Sequence, residues 1–156
     1  MWKKILGGVV GLGVLGFAVF QGYLYSIQYY ATAPVYQTSK GALDGYDPVA
    51  YFNEARPVLG KLELTSDWNG ATWHFASADN LAAFKADPAK YAPQFGGYCA
   101  YGVSQGHTVK TEPDAWAIEN GKLYLNFDKS IQTKWIAGKQ DLIPAAEKNW
   151  PKVIER

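Results

Sequence analysis

The chain has one cysteine and one methionine, the latter at position 1. A single cysteine forms no internal disulfide, so no disulfide framework holds the fold. With Met1 as the sole thioether, a methionine-rich copper site is excluded. An excess of one charge is also missing. Fifteen basic and 14 acidic residues leave a net charge of +1, and the basic residues are scattered, so no stripe faces nucleic acid. P-loop, HExxH and CxxC spacings are all lacking. No nucleophile with a base close in sequence and no spaced pair of carboxylates rises above chance, so the chain reads as a non-enzyme. What it has in quantity is aromatic surface, 15% of residues and mostly Tyr and Trp. Spread along the chain, these rings suit a packed core with polar tips at its surface. A length of 156 residues fits one modest domain plus a terminal segment.

That terminal segment reads as residues 1–30. Lys3 and Lys4 precede an uncharged run from Ile5 to Tyr36. As a helix, Ile5 to Ile27 spans about 35 Å, enough to cross a bilayer. A cleaved signal ending at Ala31-Thr32-Ala33 competes with a retained anchor. Pro34 follows that site directly and the site lies far beyond the apolar stretch, which favours the anchor. The positive-inside rule then places the N-terminus in the cytoplasm and the remaining chain outside a cytoplasmic (inner) membrane, in the periplasm of a bacterium. Gly7, Gly11, Ala18 and Gly22 share one arc of this helix. Such a stripe of small residues admits another membrane protein or a second copy, besides the lipid. Residues 31–42 read as a linker, 43–150 as the domain and 151–156 as a tail.

Within the domain, Asp47-Pro48 starts a helical turn over Val49 to Phe52. Asn69-Gly70 joins two β-forming runs, Leu62 to Trp68 and Ala71 to Phe75, by a type I′ turn. Ser77 caps a helix from Ala78 to Ala86, and Asp87-Pro88 ends it. Gly96-Gly97 bends the backbone before Cys99, which falls in the first turn of a helix over Tyr98 to Ser104. Asn120-Gly121 turns a second hairpin. Asp128 caps a helix to Ala137, stopped by Gly138, and Asp141 caps another that reaches Trp150-Pro151. The fold class is α+β: antiparallel hairpins and short helices behind a single N-terminal transmembrane helix.

Four pieces resemble the YHS domain family: DPVAYF (47–52), NGATWHFASADNLAAF (69–84), DPAKY (87–91) and GGYCAYGVSQG (96–106). The likeness runs over about 43–150, and it is nearest to a mostly bacterial branch of YHS domain-containing (seleno)proteins. It implies a small domain of metal-binding ancestry. Metal-binding members resemble a pattern with three cysteines where this chain has Ala50, Ala76 and Asn80. The flanking Asp47, Pro48, Val49, Phe75, Ser77 and Phe84 remain. The resemblance therefore implies a kept scaffold and a lost metal site, since structural zinc takes close to four Cys or His ligands.

Two readings of function follow. In the first, the chain is a membrane-anchored, extracytoplasmic binding module with no cofactor, an accessory or assembly subunit of a membrane complex. In the second, Cys99 is a soft-metal ligand or redox thiol, with His107 as its partner on copper. Against this, a free cysteine is commonly buried and inert, so Cys99 reads rather as a small hydrophobe between Tyr98 and Tyr101, and His107 as a solvated loop residue. His74, between Trp73 and Phe75, alternates away from both and reads as a surface histidine.

Overall fold

The computed structural model describes residues 33–155. Three two-stranded antiparallel ladders carry the β structure: β1 (Gln37–Thr38) with β2 (Gly41–Ala42), β3 (Lys61–Trp68) with β4 (Ala71–Phe75), and β5 (Trp116–Glu119) with β6 (Lys122–Leu125). The helices are α1 (Ala50–Asn53), α2 (Ala78–Ala86), α3 (Pro88–Tyr91), α4 (Ala100–Ser104) and α5 (Lys129–Ile154). The architecture is α+β, as the sequence predicts.

The expected transmembrane helix is corrected. Among the described residues no helix is long and apolar enough to cross a membrane. The longest, α5, has 26 residues, but Lys129, Lys134, Lys139, Asp141, Glu147, Lys148 and Lys152 punctuate it, so it is an amphipathic surface helix. The segment read as an anchor, with Gly7, Gly11, Ala18 and Gly22, lies outside the described residues. The partner and localisation expectations rest on that same segment. Of the stretch read as a linker, the described part holds the β1–β2 hairpin and buries Val35 and Ala42. Pro151 to Ile154 belong to α5, where Val153 is buried.

Local chemistry sets the elements. Asn69 and Gly70 take φ of 52° and 77°, the double positive φ of a type I′ turn. Asn120 and Gly121 repeat this at 51° and 73° between β5 and β6. The Ser77 side chain accepts from the Asn80 backbone N at 3.1 Å and starts α2. The Asp128 carboxylate accepts from the Ile131 N at 2.8 Å and starts α5. The predicted break at Gly138 does not occur. Trp135, Leu142, Ala146, Trp150 and Val153 recur on one face straight through it, all within one core cluster. Burying that face outweighs the roughly 1 kcal/mol of an interior glycine and the roughly 3 kcal/mol of Pro144.

Two hydrophobic cores meet at β6. Leu123 and Leu125 face the first, with Trp73, Phe75 and Phe84. Tyr124, between them, faces the second, with Val103, Trp135 and Ala146. This is the period-two alternation of a strand with both faces buried. Helix α5 also holds α4 in place. The Asn149 side chain donates to the carbonyls of Val103 and Ser104 at 3.1 and 3.0 Å, satisfying a helix C-terminus that has no intrahelical partners.

Candidate functional site

Asp47 is fully buried, and its carboxylate collects four N–H donors. Oδ1 accepts from the backbone N of Val49 (2.8 Å) and of Ala50 (3.3 Å). Oδ2 accepts from the Ala76 N (2.8 Å) and the Asn80 Nδ2 (2.7 Å). The Asn80 Oδ1 in turn accepts from the Asn53 Nδ2 at 3.2 Å. One acceptor group thus joins the start of α1, the end of β4 and the first turn of α2. The three positions where the resemblance expects cysteines, Ala50, Ala76 and Asn80, all converge on this carboxylate. Asp47 was legible as a capping residue. Its partners 29 and 33 residues away were not, and neither was Asn53. The available signal was Asn80 itself: it stands four residues before Phe84, on the buried face of α2.

Cys99 is buried and is the N-cap of α4; the helix starts at Ala100, two residues after the predicted Tyr98, so the sulfur stands just ahead of the first turn instead of within it. Its Sγ accepts from the Gly102 N at 3.4 Å and lies 4.0 Å from the Asn126 Oδ1. Burial pushes the thiol pKa up, against backbone N–H groups of Gly102, Phe127 and Tyr101 that pull it down. His107 is exposed, and its backbone N donates to the Gly102 carbonyl at 2.9 Å. The sulfur is therefore enclosed while the imidazole faces solvent. Among the described residues no cluster of three or more His, Cys, Asp or Glu is placed to hold a metal ion. His74, read as a surface residue, is only 9% exposed. A Cβ on Gly41 of β2 would stand 2.9 Å from its ring, so β2 covers that face of β4 closely.

Three buried phenols behave like the thiol. Desolvation raises the pKa of Tyr51 and of Tyr124 and pushes that of Tyr98 up to about 12. A group whose folded pKa is raised contributes stability below its unfolded pKa and loses it as pH climbs through the folded value. The unfolded values are roughly 8.5 for Cys and 10 for Tyr. Unfolding midpoints in urea should therefore fall steadily above about pH 9, and buried phenolate absorbance should appear only with unfolding. A midpoint unchanged to about pH 11 would contradict this assignment.

Between the two cores lies an open cleft of about 370 Å³. Trp68 and Trp73 wall it from the first core, and Phe95, Trp150 and Ile154 from the second. Asn69 and Gln94 supply side-chain amides, and none of the lining residues is charged. Sequence reading did not locate this cleft, because its walls come from four separate stretches, 34–35, 68–73, 89–96 and 150–154, that only the folded chain brings together.

Fold and site define a small α+β module with a hydrogen-bonded carboxylate at its centre. Residues 49–95 match the family model of the YHS domain, and the chain carries a YHS domain. Neither the curated proteins nor the solved structures give a match. The matched segment holds Ala50, Ala76 and Asn80 and stops before Cys99. A metal at the converging positions does not fit the residues present. Ala50 and Ala76 have no donor side chain, both Asp47 oxygens are filled, and the Asn80 amide is engaged at both ends.

Proposed function

We propose that the chain is a non-enzymatic binding module, an accessory component of a larger assembly, and that it takes its partner in the uncharged cleft between the two cores. The lining of that cleft carries the reading. Trp68 and Trp150 are half-buried and present indole surface to an open space. Rings held this way give large contact area at low entropic cost, which is why they dominate binding hot spots. The volume is at the lower end of ligand and side-chain pockets, roughly 300–1,000 Å³. A lining without charge selects an uncharged apolar or proline-bearing segment, with Asn69 and Gln94 free to bond its backbone. The copper or thiol-redox reading has less support, because the Cys99 sulfur is enclosed and His107 points to water.

The test places a photo-reactive residue at Gln94 of the full-length chain and irradiates it in its native cells. A discrete adduct is expected, and Ala89→Arg should reduce it at least tenfold. Ala89 is an exposed lining residue, so this change brings a charge to the cleft while the fold is retained. An adduct that forms equally well with Ala89→Arg would overturn the reading. So would an adduct that forms only from Glu63, on the exposed part of β3.

A further inference from the structure

The resemblance to the YHS family implies a metal site, yet positions 50, 76 and 80 of the matched segment have the wrong donors for a metal. That disagreement has a structural answer. We propose that Asp47 and Asn80 form a metal-independent lock, in which the carboxylate occupies the point where positions 50, 76 and 80 converge.

A metal bound by residues from three segments ties those segments together and makes folding depend on the ion. Here the same tie is made of hydrogen bonds. The amides of Val49 and Ala50 come from the start of α1, the amide of Ala76 from the end of β4, and the Asn80 side chain from α2. Asn80 is only 8% exposed and works at both ends of its amide, giving Nδ2 to Asp47 and taking the Asn53 Nδ2 at Oδ1. That pairing fixes which way the amide points, so a thiol at position 80 would supply neither bond. The carboxylate already has four short-range donors, and each would have to be displaced before an ion could use it. A saturated buried acceptor of this kind holds its segments in one arrangement.

The experiment uses the full-length chain, stripped with EDTA and then supplied with zinc alone or copper(II) alone. The melting midpoint should be the same in all three states. Asn80→Ala should lower it by roughly 5 °C or more, and by an equal amount with and without metal. A wild-type midpoint that falls on chelation or rises with zinc would overturn the proposal. A midpoint in Asn80→Ala equal to that of wild type would overturn it too. If Asn80→Ala does not fold, Asn53→Ala removes only the outer bond. Its midpoint should then fall by a smaller, metal-insensitive step, and no fall at all would count against the lock.

Discussion

Asp47→Ala is expected to destabilise the domain by about 4 kcal/mol or more, from a total of roughly 5–15 kcal/mol for a domain of this kind. The reason is the number of donors left behind. Val49 N, Ala50 N, Ala76 N and Asn80 Nδ2 all point at a carboxylate that is 0% exposed. Each buried donor without an acceptor costs about 1–3 kcal/mol, and water entering the space left by the side chain recovers part of it. Asp47→Asn should fall between wild type and alanine, because it keeps one acceptor oxygen and turns an NH₂ toward a donor pair. Urea unfolding with an unchanged m-value measures both. A loss below about 1 kcal/mol for Asp47→Ala would show that the four bonds exchange freely with water.

The parts of this fold that could be read from sequence are those whose cause is local. Asn69-Gly70 and Asn120-Gly121 announce their turns because few residues other than Asn and Gly accept positive φ. Ser77 and Asp128 announce helix starts because the capped N–H lies only three residues on; Asp87, read only as the stop of α2, also caps α3 through the Lys90 N. Asp47 shows where this stops. Its bonds to Val49 and Ala50 are local and were legible as a cap. Its bonds to Ala76 and Asn80 depend on β4 and α2 being folded against it. Helix α5 failed for the opposite reason. Gly138 and Asp141 are strong local signals for a stop and a start, and tertiary burial overrode both. The run Trp135, Leu142, Ala146, Trp150 and Val153 keeps one face across the supposed break, so the longer period was the better guide. His74 was misread because alternation names the face of a strand, not what covers it; β2, read as linker, covers it.

Gly96→Ala should be the most damaging glycine substitution near the cleft, with a loss of about 3 kcal/mol. Gly96 has φ of 60°, and a Cβ there would stand 2.0 Å from the Pro34 carbonyl oxygen and 3.2 Å from the Val35 Cα. Both neighbours are backbone, so no side-chain rotation relieves the clash. The Gly96 carbonyl also accepts from the Tyr36 N at 2.9 Å, so the chain at 34–36 is held against it from two sides. A methyl group must push that segment outward, which uncovers Val35, now 1% exposed, and widens one wall of the cleft. Gly121→Ala supplies the control. Its φ of 73° carries the same left-handed strain, but nothing lies within 4 Å of the added Cβ. It should therefore cost only the roughly 1–2 kcal/mol of an L-residue in that region. The difference between the two urea midpoints isolates the close approach of residues 34–35 from backbone strain. Equal losses in the two variants would show that the 34–36 segment yields without penalty and that it is no fixed wall of the cleft.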